Sequence, residues 1–157
     1  MFRLFKKTNN ICAPVSGKCL DISDCSDKAF SAMGDGFFII PSTNVIKSPC
    51  NGEITAIFPT KHAIGITTGQ GMEILLHIGI DTVKLNGQHM TSYVSVGQHV
   101  KVGKKLVSFD IDYMKKQHID MSTIVLVLNG GEFTYTKKHR NDNVTDGEKI
   151  ILIESGE

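Results

Sequence analysis

The chain has 157 residues, 41% of them hydrophobic, which suffices for one domain with a substantial core. Its 17 basic and 16 acidic side chains leave a formal net charge of +1, so we expect no surface of the kind that binds nucleic acids. Charges interrupt the short apolar stretch at the N terminus, so we expect neither a secretory signal nor a membrane span there. The four cysteines form no CxxC pair, and a reduced, soluble protein of the cytoplasm is therefore expected.

Residues 1–9 are predicted to form a flexible N-terminal arm, and residues 10–157 a single domain. The arm mixes three large apolar side chains with three basic ones, namely Phe2, Leu4, Phe5, Arg3, Lys6 and Lys7. Two readings remain open: a disordered terminus, or a weak amphipathic contact with a membrane surface.

Short apolar runs dominate the chain from Asn10 onward, and Gly, Pro, Asn or Asp interrupts them about every ten residues. This spacing favours an all-β fold, an antiparallel sandwich or barrel, over alternating strands and helices. Only short helical segments are expected, a turn near 27–33 and a helix over 112–119.

Two pairs of similar segments indicate a duplicated motif. Residues 13–20 (APVSGKCL) recur as residues 48–55 (SPCNGEIT), and residues 102–107 (VGKKLV) resemble residues 146–151 (DGEKII). In each copy a glycine provides the turn and the following residues provide a strand. The alternative is that such turns recur by chance in a β-rich chain.

Two histidines flank a predicted β-hairpin. Strand-like runs over 62–67 and 72–79 enclose Thr68-Gly69-Gln70-Gly71, and a two-residue turn at Gly69 and Gln70 would place His62 directly opposite His77. Alternation along the second run directs Met72, Ile74, Leu76 and Ile78 to the core and His77 outward. The two imidazoles are thus predicted to share one partly exposed, apolar surface.

Three interpretations suit such a pair. A neutral imidazole can accept a phosphoryl group on nitrogen while the other donates hydrogen bonds to its oxygens. The pair could instead bind Zn²⁺, which needs a third ligand, or it could pack without a chemical role. Two register-matched histidines favour a functional site, and the scarcity of nearby carboxylates argues against a zinc hydrolase.

Several motifs resemble the glucose-type IIA (EIIA type-1) proteins of the bacterial phosphoenolpyruvate-dependent sugar phosphotransferase system. They are FPTKHA at 58–63, EILLHIGIDTVKLNG at 73–87, GDGF at 34–37 and SPCNG at 48–52. The resemblance implies an antiparallel β-sandwich of the duplicated-hybrid-motif type. It also implies phosphoryl transfer from the phosphohistidine carrier protein HPr to a cysteine of a IIB domain, which couples sugar uptake to sugar phosphorylation.

The resemblance assigns roles by position. His77 matches the histidine phosphorylated on Nε2, His62 its partner, Thr60 a hydroxyl in the site's hydrogen-bond network, and the Gly79 carbonyl the acceptor for His77 Nδ1. The acidic residues that would meet a basic carrier are Asp35 and Asp81. The apolar rim would consist of Val45, Phe58, Ile64, Leu75 and Val83. The family's Pro and Phe before Gly34 are matched here by Ser26 and Lys28.

We therefore expect a phosphotransferase component that forms a covalent phosphohistidine and is not a stand-alone catalyst. No cofactor is expected, and Zn²⁺ could bind His62 and His77 only together with a ligand from a partner. The alternative is a regulatory module that docks transporters or metabolic enzymes according to its phosphorylation state.

Overall fold

A computed structural model describes residues 10–138 and 141–154, and the predicted arm over residues 1–9 lies outside the described residues. Strands dominate this part of the chain, in agreement with the predicted all-β fold. Their bounds are β1 Ile11–Cys12, β2 Gly17–Asp21, β3 Asp35–Pro41, β4 Val45–Lys47, β5 Gly52–Ile57, β6 Ala63–Thr67, β7 Glu73–Ile78, β8 Met90–Ser92, β9 His99–Val100, β10 Lys105–Phe109, β11 Thr123–Val127, β12 Tyr135–Lys137, β13 Asp142–Val144 and β14 Lys149–Ile153.

The helices are short. α1 spans Ala29–Met33 and α2 spans Ile111–Lys116, close to the two predicted segments, and 3₁₀ turns occupy Ile22–Asp24, Thr82–Leu85 and Gly130–Glu132. Asp110 begins α2, because its carboxylate accepts a hydrogen bond from the Tyr113 amide at 3.0 Å. None of the helices within 10–138 and 141–154 is long and apolar enough to span a bilayer.

All strand pairs are antiparallel. The largest sheet has eight strands in the order β13-β2-β3-β11-β7-β6-β5-β9, and two three-stranded sheets have the orders β1-β14-β12 and β4-β10-β8. One face of each strand of the large sheet enters the main core, which is rich in fully buried isoleucine, such as Ile39, Ile54, Ile66, Ile74 and Ile78. β-Branched side chains suit a pleated, buried surface, so the fold follows from this composition.

The predicted duplication is present in the hydrogen bonds. The Ala13 amide donates to Glu148, and the Ser48 amide, 35 positions later, donates in the same way to Lys104. The two copies also bond to each other reciprocally: the Cys12 amide donates to Pro49 at 2.7 Å, and the Lys47 amide donates to Pro14 at 2.8 Å. Two similar β-motifs therefore pack about an approximate two-fold axis.

The axis passes between β11 and β7 in the large sheet. It relates β11 to β7, β3 to β6, β2 to β5 and β13 to β9. The pair Val144–Gly17 on one side corresponds to Val100–Gly52 on the other. The connection between β2 and β3, residues 22–34, thus corresponds to the connection between β5 and β6, residues 58–62. We call residues 22–34 the cover segment.

The cover segment lies on the outer face of the large sheet, where it forms a second, smaller core. The buried members of this small core are Ile22, Cys25 and Phe30 of the cover segment and Phe38, Ile124 and Leu126 of the sheet. The cover segment therefore covers the outer face of the first half of the sheet. In the second half the corresponding connection, residues 58–62, is short, and it carries His62.

Candidate functional site

His77 lies on the outer face of β7, next to the axis. Its neighbours Leu76 and Ile78 are fully buried in the main core, which confirms the predicted alternation along this strand. On the other side, His77 pairs with Ile124 of β11 and adjoins the small core beneath the cover segment. The imidazole is half-buried.

The predicted turn between β6 and β7 is wrong by one residue. His77 pairs with Ala63, not with His62, because the loop contains three residues rather than two. Thr68 accepts from the Gly71 amide at 2.9 Å, and Gly71 adopts a φ of +90°. A type I turn followed by a left-handed residue is a common three-residue hairpin loop, and a glycine at its third position favours it.

His62 nevertheless reaches His77, because it lies just before β6 in a turn. The Lys61 amide donates to the Phe58 carbonyl at 2.8 Å, and Lys61 itself has a φ of +64°. The His62 carbonyl accepts from the Ile78 amide at 2.7 Å, which continues the β6–β7 pairing to this position. The two imidazoles lie with ring centroids 5.0 Å apart and an interplanar angle of 77°.

Hydrogen bonds orient both rings. His77 Nδ1 donates to the Gly79 carbonyl at 2.9 Å, and since a carbonyl can only accept, the neutral ring carries its proton on Nδ1. The Nε2 lone pair of His77 is therefore available to a ligand or an electrophile. The Thr60 hydroxyl and His62 Nδ1 share a second hydrogen bond.

Gly79 is required where it lies. Its φ is +83°, and a Cβ at this position would overlap the Thr82 Cγ2 methyl and approach the Asp120 carbonyl oxygen to 3.2 Å. Its amide donates to the Ser122 carbonyl at 3.0 Å. The Gly79 carbonyl is thus held in a fixed direction, toward His77 Nδ1.

Aromatic rings flank the pair on both sides. Phe30 of α1 packs edge-on against His77 with centroids 4.8 Å apart, and Phe58 packs against His62 at 5.4 Å. Phe30 is buried, whereas Phe58 is 46% exposed, and Val83, in the 3₁₀ turn that follows Asp81, is 47% exposed. The histidine pair is therefore in contact with one buried and one exposed aromatic ring.

Burial lowers the pKa of both histidines. For His77 this effect outweighs the Gly79 hydrogen bond and the charges of Asp27 and Asp81, which raise the pKa, and His62 lowers it further. For His62 burial alone lowers the pKa. Both rings are therefore neutral at pH 7, the form in which an imidazole nitrogen is a nucleophile.

The structure places the other predicted site residues in several parts of the fold. Asp81 is exposed, with a φ of +60°, and lies close enough to act electrostatically on His77. Leu75 lies two residues before His77 on the same face and packs against the small core. Val45 is half-buried in β4, in a different sheet.

Two expectations for the site need correction or qualification. Ile64 is fully buried in the main core, because it pairs with Leu76 on the inner face, so its assignment to the rim is wrong. Asp35 lies at the start of β3, where its carboxylate accepts hydrogen bonds from Tyr135 and Lys137. That carboxylate is bound within the protein rather than directed at either histidine.

Phe30 is a site residue that the sequence patterns do not predict. The resemblance matches Lys28 to the aromatic position before Gly34, whereas the structure places Phe30 of α1 against His77. The signal was present, because the turn near 27–33 was predicted and Phe30 is its only aromatic residue. Only the packing of α1 on the sheet shows the contact.

Two histidines alone do not make a metal centre. Among the described residues, no group of three or more His, Cys, Asp or Glu side chains is placed to hold a metal ion. The geometry is instead suited to a covalent ligand on one imidazole with the second imidazole beside it.

Comparison with known proteins finds a matching family and a similar solved structure. A family model described as the phosphoenolpyruvate-dependent sugar phosphotransferase system, EIIA 1, matches residues 9–133. The structure is similar to that of the glucose permease IIA from Mycoplasma capricolum, with a TM-score of 0.81 and 38% sequence identity. That alignment covers 97% of this chain and 99% of the Mycoplasma chain.

Proposed function

Because the chain belongs to the EIIA type 1 family of the phosphoenolpyruvate-dependent sugar phosphotransferase system, and so is a phosphoryl carrier of that system, we propose that His77 carries the phosphoryl group. Proteins of this family interact with HPr and with IIB domains. We propose that HPr donates the group to His77 and that a IIB cysteine receives it. The observation that supports this assignment most directly is the hydrogen bond from His77 Nδ1 to Gly79.

The proposed uptake step is a displacement at phosphorus. The Nε2 lone pair of His77 forms the new P–N bond as the P–N bond to the HPr histidine breaks, and the electron pair of that bond stays on the HPr nitrogen. In the second step a cysteine thiolate of the IIB domain attacks phosphorus and the bond to His77 Nε2 breaks. The proton on Nδ1 remains hydrogen-bonded to Gly79 throughout, so the ring keeps its orientation in both steps.

His62 is proposed to steady the phosphoryl group. Its ring lies beside His77 at 5.0 Å, and its hydrogen bond with the Thr60 hydroxyl limits rotation of the ring. A nitrogen of His62 that donates to a phosphoryl oxygen would stabilise the charge that shifts during transfer. Thr60 would act through His62, by holding it in place.

The aromatic rings are proposed to keep water away from the phosphoramidate. Phe30 packs against His77, and Phe58 packs against His62. Exclusion of water favours transfer to a docked partner over hydrolysis. We propose that the exposed apolar side chains of Phe58 and Val83, with the half-buried Leu75 and Val45, contribute to the docking surface.

Acidic residues are proposed to select a basic donor. Asp81 is exposed beside the site and can meet a cation directly. Asp35 would take part by binding a basic side chain of HPr, either together with Lys137, its internal partner, or in its place. The alternative role, docking of transporters or metabolic enzymes according to phosphorylation state, would use the same surface.

The proposed chemistry needs no cofactor, since both steps exchange a phosphoryl group between nucleophilic side chains. A zinc ion at His62 and His77 would need a further ligand from a partner. We propose that the protein acts in the cytoplasm, where the carrier system obtains phosphoenolpyruvate.

The experiment is phosphorylation by labelled phosphoenolpyruvate with the general phosphotransferase proteins and HPr. Wild type should gain an acid-labile, base-stable label, and His77→Ala should gain none. His62→Gln should gain label but pass it slowly to a IIB domain. His99→Gln, at an exposed histidine on strand β9, should behave as wild type. Full labelling of His77→Ala would refute the assignment.

A further inference from the structure

Lys137 joins the two ends of the cover segment. Asp21 closes β2 just before this segment, and Asp35 opens β3 just after it. Lys137, on β12 of a different sheet, forms ion pairs with both carboxylates, and its Nζ lies 2.5 Å from Asp35 Oδ1. The Tyr135 hydroxyl donates to Asp35 Oδ2 at 2.6 Å.

The same carboxylates organise the backbone at both ends of the cover segment. Asp21 Oδ2 accepts from the Ser23 amide at 3.0 Å and so caps the 3₁₀ turn that begins the segment. Asp35 Oδ1 accepts from the Gly36 amide at 2.8 Å. Lys137 therefore binds two carboxylates that also accept hydrogen bonds from backbone amides near the two ends of the cover segment.

The cover segment contacts the proposed phosphoryl site. It carries Phe30, whose ring packs on His77 at 4.8 Å, and it seals the small core that includes Ile124, the strand partner of His77. A shift of the cover segment would therefore move Phe30 relative to His77. The small core holds the middle of the segment on the sheet, and its two ends join strands β2 and β3 at Asp21 and Asp35.

We propose that Lys137 is a positioning residue for the phosphoryl site, which holds Phe30 against His77 by clamping both ends of the cover segment. This inference rests on the proposed role of His77. It assigns Asp35 an internal task, as one half of the clamp, besides any contact with a partner. Lys137 does not touch His77 and acts only through the cover segment.

The charges support a clamp rather than a loose surface pair. The Lys137 side chain is 23% exposed, so water screens its ion pairs only in part. Burial alone would raise the pKa of Asp21 and Asp35, but the hydrogen bonds and charge of Lys137 lower both, with help from hydrogen bonds of Ser23 to Asp21 and of Tyr135 and Gly36 to Asp35. Without the ammonium group, two carboxylates would face each other and repel, which would push the ends of the segment apart.

The test compares Lys137→Met with Lys138→Met, a matched change at the next, exposed lysine, and with Lys137→Arg as a rescue. Hydrogen exchange of residues 22–34 reports on the clamp in the unphosphorylated protein. Loss of one charge-assisted anchor should speed this exchange roughly tenfold or more in Lys137→Met. The label on His77 should then be lost to water several-fold faster, and Lys137→Arg should restore both rates.

A double variant checks the route. In a Phe30→Leu background, Lys137→Met should add little to the rate of label loss, because both changes remove the same contact. Additive effects would overturn the proposed route through Phe30. If Lys137→Met does not fold, Asp21→Asn removes one arm of the clamp and leaves the Asp35 pair, and the same two rates are measured.

The outcomes separate this inference from the proposed function. A wild-type chain that gains no label would refute the function of His77, while the exchange rates would still test the clamp. Exchange and label loss that match the Lys138→Met control would overturn the clamp alone. Faster exchange with unchanged label loss would show that Lys137 holds the segment without protecting the phosphoryl group, which also overturns the proposal.

Discussion

Replacement of Gly79 by alanine tests whether the site depends on this one backbone conformation. At a φ of +83°, an L-residue costs about 1–2 kcal/mol. The new Cβ would also overlap the Thr82 methyl and lie 3.1 Å from Thr82 Oγ1 and 3.2 Å from the Asp120 carbonyl oxygen. Overpacking of this kind costs roughly a further 1–3 kcal/mol, so the two costs together should lower the free energy of unfolding of Gly79→Ala by about 2–5 kcal/mol.

Gly97 provides the matched control. Its φ is +93°, but no atom lies within 4 Å of the position that a Cβ would take. Gly97→Ala therefore pays the backbone cost alone, and a smaller entropy of the unfolded chain offsets part of it, which leaves a loss of about 1 kcal/mol. The difference between the two variants measures the steric part.

The assays are urea unfolding and the rate at which His77 gains label from HPr. Displacement of the Gly79 carbonyl weakens the hydrogen bond to His77 Nδ1, so Gly79→Ala should slow uptake roughly 2- to 12-fold while Gly97→Ala should not. Adding Thr82→Ser removes the overlapping methyl, keeps the hydroxyl bond to Ile78 at 2.5 Å, and should recover part of the stability. Equal losses in both glycine variants, with normal uptake, would refute the reasoning.

Four further predictions concern the pH dependence of His77, the role of Thr60 and the buried cysteines. Since the pKa of His77 lies below the ordinary value of about 6.5, phosphoryl uptake should stay high at pH 6.5 and fall only as the pH drops further, and NMR titration of the ring gives the midpoint; a midpoint above 6.5 would contradict the effect of burial. Because the folded ring binds a proton less readily than the unfolded one, His77 should contribute to the free energy of unfolding above about pH 6.5. This contribution should be lost as the pH falls through the lowered pKa. Thr60→Val should slow transfer to a IIB domain roughly 2- to 12-fold, because His62 loses its hydrogen bond, and wild-type transfer would show that His62 needs no anchor. Burial raises the pKa of Cys19 and Cys50 to about 12, so folded protein at pH 8 should resist alkylation at both thiols until urea unfolds it, which mass spectrometry detects; rapid labelling of folded protein would contradict their burial.

The sequence was sufficient to predict the fold class, the duplication and the direction in which His77 points. These depend on alternation and on repeated turns, which are local properties. Loop length was harder, because Gly69 and Gly71 can both end a strand, and only Gly71 with its φ of +90° belongs to the left-handed position. The register therefore slipped by one residue, and Ile64 was placed on the wrong face.

The contacts between distant segments could not be read from local patterns. His62 reaches His77 through a left-handed Lys61, a conformation that a lysine does not signal. Phe30 meets His77 only because the cover segment folds back over the sheet, and Lys137 meets Asp21 and Asp35 across two sheets. Each of these contacts joins residues that are far apart in the chain or depends on an unusual backbone angle.

The approximate two-fold axis gives the large sheet two comparable outer surfaces. It relates the His77–Ile124 pair to the Leu126–Leu75 pair, so Leu126 holds in one half the place that His77 holds in the other. The long connection, which is the cover segment, covers Leu126. The short connection, residues 58–62, leaves His77 accessible. Under the proposed role of His77, one half of the sheet would carry the phosphoryl group, and the covered half would form the apolar wall beside it.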